Sequence, residues 1–162
     1  MRYEKLSWLE QKEVLFNLHH LLNEQLFNNE LKTIDINLEN LNNAMYQIDD
    51  ALAVFLNHDQ IPNTEMKMVR GERILFSHEF LGEIAACKTQ REQRYLLVQV
   101  MLHEMIHQYC YETGIDDDDH NENFISEAER HGLVCVYEGG EKVSEELGRK
   151  ALIVLIDCFK KF

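Results

Sequence analysis

The spacing of apolar residues along the chain predicts helices at both ends and short strands between them. From Trp8 to about Phe27 apolar residues recur every three or four positions, after Ser7 as a helix N-cap with Glu10 at the reciprocal position. Residues 33–38 alternate between apolar and polar side chains, as a strand with one buried face does. The chain is therefore expected to begin with a helix and a strand.

The next segment predicts the other strands of a small sheet. Four short apolar runs follow one another, with turn-forming residues between them. They cover residues 44–48, 51–56, 66–69 and 73–76, the last two as a hairpin around Gly71-Glu72. Together with residues 33–38, these runs predict a three- or four-stranded, mostly antiparallel sheet.

The strongest helical pattern lies in the second half of the chain. After a short helix that ends near Ala86, residues 91–112 contain neither Gly nor Pro and are apolar nearly all round. Gly114 can end this helix in a left-handed cap. Two further helical patterns close the chain, at residues 122–137 and 144–159. These elements predict an α+β fold in which the sheet packs on the 91–112 helix.

Length and composition indicate one globular domain over residues 1–162. Of the 162 residues 45% are apolar, and no linker, repeat or low-complexity tract divides them. No signal peptide is visible, and the longest apolar run near the end is too short to span a bilayer. The four cysteines are widely spaced, with no CxxC pair, which favours free thiols. We therefore expect a cytoplasmic protein without membrane contact.

Residues 103–107 read His-Glu-Met-Ile-His, the HExxH motif, within the 91–112 helix. Helical positions four apart lie on one face, so His103 and His107 can present two imidazoles to one metal ion. Glu104 is then placed to handle the proton of an activated water. Because the helix is apolar nearly all round, both histidines are expected to be buried and to need partners. This layout is typical of a zinc hydrolase, most often a peptidase.

A catalytic zinc site usually has three protein ligands, so a third is expected downstream. His120 follows a turn-like acidic loop and precedes a helical pattern, so its side chain can point back at the first two histidines. We rank His120 first. Glu127 and Glu129 would suit the class of zinc peptidases with a glutamate ligand on the next helix, and His131 is a further alternative.

The segment from Leu102 to His107, followed by a short acidic loop, His120 and Phe124, resembles the metallopeptidase domain of the SprT and Spartan family. Upstream, residues 22–31 look like the end of that family's first helix, and residues 73–77 look like its last strand before the active helix. The likeness covers about residues 10–135. It implies a small zincin-like domain.

By this resemblance His103, His107 and His120 would bind Zn²⁺, and Glu104 would be the general base. The chain departs from the family in two respects. Family members commonly carry Gly on each side of the third His, whereas this chain has Asp119 and Asn121. Many relatives also append a zinc ribbon, where this chain is expected to have a helical extension over about residues 141–162.

The net charge of −13, from 29 acidic and 16 basic residues, bears on the partner. The resemblance implies DNA, because Spartan acts on proteins crosslinked to DNA, but an acidic surface repels phosphate backbones. Local basic patches could still touch nucleic acid, although scattered surface bases are the simpler interpretation. The candidate patches are Lys67, Arg70 and Arg73, and Arg149, Lys150, Lys160 and Lys161.

Auxiliary groups are also expected around such a site. One of the four acids Asp116 to Asp119 could orient an imidazole, the others forming a solvated loop. A further electrophile is usual in zinc peptidases, and spacing alone does not choose among the candidates. They are Tyr109, Tyr111, Tyr137 and His131.

The first function prediction is a zinc-dependent metallopeptidase acting on protein or peptide substrates. A zinc hydrolase of a non-peptide amide would keep the same ligands but have a narrow pocket. A metal-stabilised binding module or inactive relative, associated with nucleic acid through a partner, is the third class. Retention of Glu104 argues against that class, because a structural metal site needs no general base.

Overall fold

The computed structural model describes residues 2–42, 46, 48, 50–57 and 71–158. Within them, five helices and five strands form an α+β arrangement, with short 3-10 turns at Tyr3–Lys5 and Asp118–His120. In chain order the elements are α1 Trp8–Leu26, β1 Asp35–Leu38, β2 Ala53–Leu56, β3 Arg73–Phe76, α2 His78–Ala86, α3 Gln90–Thr113, α4 Glu122–Arg130, β4 Leu133–Glu138, β5 Glu141–Leu147 and α5 Arg149–Cys158. The predicted α+β class is confirmed, and the architecture fits a small zincin-like domain.

The main sheet has the order β1-β3-β2, with β3 at its centre. All four residues of β3 are buried, because both faces of this central strand are covered: Ile74 and Phe76 pack in the main core and Leu75 packs in a second cluster. Ile74 pairs with Ile36 of β1 in parallel and with Phe55 of β2 in antiparallel orientation. The described sheet is therefore mixed rather than mostly antiparallel, because β3 inserts between β1 and β2 instead of extending a meander. The predicted run at 66–69 and most of the run at 44–48 lie outside the described residues.

Helix α3 is the element on which the site is built, and both of its ends are fixed by local chemistry. Thr89 accepts a hydrogen bond from the Glu92 backbone, and the Glu92 side chain accepts one from the Thr89 backbone. At the other end Gly114 adopts φ 73°, in the left-handed region that glycine enters without penalty. Leucines of α1 pack in the same core as α3 and cover it from one side, namely Leu15, Leu18 and Leu22.

The predicted helix over residues 122–137 is wrong beyond Arg130, and the predicted helical extension from about 141 begins as a strand. Strands β4 and β5 form an antiparallel hairpin in which Glu138 pairs with Glu141. Its turn is Gly139-Gly140, with φ 59° and 84°, the left-handed pair that a two-residue hairpin turn requires. A glycine pair that suits such a turn, flanked by residues that alternate in and out of the sheet, outweighs the helical spacing of the apolar residues.

None of the helices in the described part of the chain combines the length and the apolar content that crossing a bilayer requires. Cys87, Cys110 and Cys135 are free thiols, as their spacing predicts.

The capping box gives a first test of what holds α3 in place. We expect Thr89→Ala to lower the free energy of unfolding by about 1 kcal/mol, because it leaves the Glu92 backbone N–H without its acceptor. Thr33→Ala is the control, since Thr33 is exposed and lies outside the helices and strands. Urea denaturation followed by circular dichroism measures both variants, and equal stabilities would contradict the assigned role of the cap.

Candidate metal centre

Three histidines meet beside the C-terminal half of α3. His103 and His107, one helical turn apart, have ring centroids separated by 5.0 Å and are half-buried. His120, on the turn that follows the helix, places its Nε2 atom 3.1 Å from Nε2 of His103 and 3.1 Å from Nε2 of His107. The structure therefore brings together the three residues that the sequence singles out as metal ligands.

The turn that carries His120 depends on an unusual backbone. Asp119 and His120 adopt φ 50° and 52°, both in the left-handed region. Aspartate tolerates that region better than most residues, so Asp119 can occupy this position in the turn. Asn121 is in extended conformation, and its side chain accepts hydrogen bonds from the backbone N–H groups of Asn123 and Phe124. Asn121 thus caps α4 and starts the helix directly after the third histidine.

Phe124, in the first turn of α4, forms the floor of the cluster. Its ring centroid lies 5.0 Å from that of His103, 4.6 Å from that of His107 and 4.7 Å from that of His120. The side chain is fully buried. One aromatic ring therefore restricts all three imidazoles from below.

Two carboxylates hold the outer nitrogens of the imidazoles. The Nδ1 atom of His103 lies 2.9 and 2.7 Å from the two carboxylate oxygens of Glu145, and Nδ1 of His107 lies 2.5 Å from Oδ2 of Asp117. An ionised carboxylate only accepts hydrogen bonds, so both Nδ1 atoms must be the donors. In the neutral rings this leaves the Nε2 lone pairs of His103 and His107 free to face the centre of the cluster.

The cluster fits a metal ion better than it fits a network of hydrogen bonds. A single proton on Nε2 of His120 can be donated to Nε2 of His103 or of His107, but not well to both. Without a cation, the lone pairs of at least two Nε2 atoms would therefore face each other. Four ligands around zinc at 2.0–2.1 Å would stand roughly 3.3 Å apart, close to the observed 3.1 Å separations. The three histidines form a group that could hold a metal ion, within the described residues.

Glu104 lies beside this cluster and is nearly buried, with 6% of its surface exposed. Burial raises the pKa of Glu104 to about 7, although the charge of His103 and a hydrogen bond from the Phe55 backbone oppose the shift. A carboxyl group that titrates near neutrality can both take up and release a proton. Glu104 is therefore suited to acid-base chemistry next to a bound metal.

The histidines titrate differently from one another. Burial lowers the pKa of His107 to about 4, in spite of its bond to Asp117, and burial also lowers the pKa of His120. Burial is the largest influence on His103 and opposes its charged form, but the hydrogen bond to Glu145 and the negative charges of Glu104 and Glu145 together outweigh it and raise the pKa of that ring. His107 and His120 are thus uncharged at neutral pH, the form that binds a metal.

An open cleft runs past the cluster along α3. On the side of the helix C-terminus it widens into a cavity of about 850 Å³, lined by β2, Tyr111 and the acidic loop from Asp116 to Asp119. On the other side a cavity of about 540 Å³ is lined by residues of α3 such as Leu96 and Gln99 and by Lys142, Ser144 and Glu145 of β5. His103 and Glu104 line both cavities. The candidate site therefore lies in the middle of a groove rather than at the end of a pocket.

The alternative third ligands lie elsewhere. His131 is buried, stacks on Phe27 with ring centroids 4.3 Å apart, and donates a hydrogen bond from Nδ1 to the backbone carbonyl of Glu127. The Glu127 carboxylate pairs with Arg130, and Glu129 is exposed on α4. These three residues therefore lie away from the histidine cluster and are not part of it. That His103, His107 and His120 bind a metal stays a prediction.

The structure also separates the candidate electrophiles. Tyr109 is buried, and its hydroxyl lies 3.5 Å from the Arg130 guanidinium. Tyr137 lies on β4 and is half exposed, and His131 packs in the core. Among these four candidates Tyr111 lines the described part of the cleft, where its ring centroid lies 5.8 Å from that of Phe55.

Sequence reasoning finds Asp117 as one of four loop acids but misses Glu145 altogether. The missed signal is the Gly139-Gly140 turn, because a hairpin at that point brings residue 145 back alongside α3 while a helix carries it away. One candidate basic patch loses a member. Arg73 is buried in β3, with its guanidinium carbon 5.8 Å from the centre of the Tyr46 ring, so it is not available at the surface. Lys67, Arg70, Lys160 and Lys161 lie outside the described residues.

Comparison with known proteins gives one result. The sequence model of the SprT-like family matches residues 15–139, about three quarters of the chain. No curated protein and no solved structure matches the chain.

Removal of His120 tests the cluster directly. We expect His120→Ala to weaken zinc binding by more than the roughly 10- to 100-fold that loss of an outer hydrogen-bond partner causes, because a direct ligand is lost. Competition with a chromophoric chelator measures the affinity. His20→Ala is the matched control, since His20 is exposed on α1. Equal zinc affinity of the two variants would exclude His120 as a ligand.

Proposed function

The chain belongs to the SprT-like family, and from that premise we propose that it is a zinc-dependent metallopeptidase that cleaves peptide bonds in protein substrates. The observation that carries the proposal is the meeting of three imidazole Nε2 atoms beside a buried glutamate in an open cleft. A metal that only stabilised the fold would need neither the glutamate nor the open cleft.

In this proposal His103, His107 and His120 hold the ion. When bound, zinc supplies a Lewis acid that lowers the pKa of a water and polarises a carbonyl. A set of three imidazoles suits zinc, although it suits other divalent transition metals too. Glu145 and Asp117 keep the Nδ1 protons of two rings pointing away from the ion.

Glu104 carries the proton in the proposed reaction. Its carboxylate takes a proton from the attacking water and later gives it to the nitrogen of the leaving amine. Burial, and a pKa of about 7 in the metal-free protein, mean that neither state of the carboxyl group is strongly disfavoured. Tyr111 lines the cleft on one side of the histidines and is our candidate for a group that binds the polarised carbonyl oxygen.

The shape of the cleft favours a polypeptide over a small amide. Cavities of about 850 and 540 Å³ lie on the two sides of His103 and Glu104, so an extended chain can pass the site in both directions. Strand β2 lies along the groove and forms the edge of the described sheet. Such an edge can pair with an extended substrate through backbone hydrogen bonds. A non-peptide amide hydrolase would instead be expected to have a narrow, closed pocket.

We further propose that the protein cleaves its substrate without DNA. The net charge is −13, and Arg73 of the first candidate patch is buried. The excess of acidic over basic residues therefore repels phosphate backbones.

Replacement of the proposed general base tests the activity. We expect Glu104→Gln to retain zinc but to lose cleavage of an unfolded protein by about 10²- to 10⁴-fold, because the amide cannot accept the proton. Cleavage of denatured, fluorescently labelled casein measures the rate, and metal analysis measures the zinc content. Glu83→Gln, at an exposed position on α2, is the control.

The same assay separates the alternatives. A fully zinc-loaded wild type that cleaves no protein, with or without single-stranded DNA, would refute the peptidase proposal in favour of a small-amide hydrolase or a binding module. A rate that rises only when DNA is added would overturn the proposal that DNA is not needed.

A further inference from the structure

Glu145 comes from a part of the chain that the family model does not match. The match ends at residue 139, whereas Glu145 lies on β5, after the hairpin turn. Its carboxylate nevertheless reaches the first histidine of the HExxH motif, with oxygen atoms 2.9 and 2.7 Å from Nδ1 of His103. A segment outside the family match therefore contacts the centre of the candidate site.

The position of Glu145 is fixed by three contacts to one face of α3. Tyr95, Gln99 and His103 recur at intervals of four and so lie in a row along the helix. The Tyr95 hydroxyl accepts a hydrogen bond of 2.8 Å from the backbone N–H of Leu147, and the Gln99 amide donates to the backbone carbonyl of Glu145. The third contact is the Glu145 carboxylate on His103. Strand β5 is thus fastened to α3 on the same face that presents the histidine.

The carboxylate is also held from its other side. The Lys142 ammonium, three residues earlier on β5, binds one oxygen of Glu145 and lies 5.6 Å from the centre of the Phe124 ring. The side chain of Glu145 is 11% exposed, so this is not a solvated surface ion pair. A desolvated carboxylate between an ammonium and an imidazole N–H has little freedom to turn.

The geometry points to Glu145 as a positioning residue of the metal centre, which holds His103 with Nδ1 protonated and Nε2 directed at the ion. This role of Glu145 rests on the proposed zinc site. It makes the β4–β5 hairpin a structural part of that site. Asp117 does the same for His107 from the loop after α3. Orientation of this kind adds to metal affinity, because the ring need not be ordered when the ion binds.

The test compares zinc affinity in four proteins: the wild type, Glu145→Ala, Glu145→Gln and Glu146→Ala. We expect Glu145→Ala to weaken zinc binding about 10- to 100-fold. Glu145→Gln should weaken it less, because the amide oxygen still accepts the Nδ1 proton. Glu146 is the matched control, since it is the next residue on β5, carries the same charge and is exposed. Thermal unfolding shows whether each variant is folded, and the near-isosteric glutamine keeps the test open if alanine unfolds the hairpin.

A second readout reports on the ring itself. In the metal-free wild type, ¹⁵N resonances of the histidine side chains should show His103 with a proton on Nδ1, and Glu145→Ala should lose that preference while Glu146→Ala keeps it. The inference would be overturned if Glu145→Ala had the same zinc affinity and the same His103 ring protonation as the wild type. A wild type that binds zinc but cleaves no protein would contradict the proposed function, while the role of Glu145 would still be decided by the affinities.

Discussion

The approach of Nε2 of His120 to within 3.1 Å of Nε2 of both His103 and His107 is the constraint on which the rest of this structure depends. Lone pairs on facing nitrogens at that separation repel one another unless a cation lies between them, so the surrounding elements must hold the rings against that repulsion. Helix α3 fixes two rings one turn apart, and the left-handed backbone at Asp119 and His120 turns the third ring towards them. Phe124 fills the space beneath all three.

The histidine cluster has buried groups on one side and exposed groups on the other. Glu104 is buried and accepts the Phe55 backbone N–H, which ties it to the edge strand that lines the cleft. His120 is exposed, so the cluster is open to the groove on that side. The two outer carboxylates have different origins: Asp117 lies in the loop between the second and third histidines, whereas Glu145 arrives from a separate hairpin. The site is therefore assembled from four parts of the chain around one rigid helix.

Local chemistry explains what the sequence predicts well. The C-terminal end of α3 follows from Gly114, the i, i+4 spacing places His103 and His107 on one face, and the short loop limits where His120 can go. These features need only a few neighbouring residues to specify them. The family is also predicted correctly: the HEMIH segment, His120 and Phe124 resemble the SprT-like motif, and the chain belongs to that family.

Long-range pairing explains what the sequence predicts poorly. The apolar residues Leu133 and Val134 fit a helix as well as a strand, and only the hairpin turn at Gly139-Gly140 decides between them. A helix over this segment would carry Glu145 away from His103, whereas the hairpin brings the two together. The parallel pairing of β1 with β3 has the same origin, since strand order depends on contacts between segments distant in sequence.

X-ray absorption at the zinc edge of the zinc-loaded protein tests the central claim most directly, because it reads the donor atoms around the ion. The account predicts three histidine nitrogens and one oxygen at about 2.0–2.1 Å, with the multiple scattering of imidazole rings. A sulfur scatterer at about 2.3 Å, or fewer than three imidazoles, would contradict it.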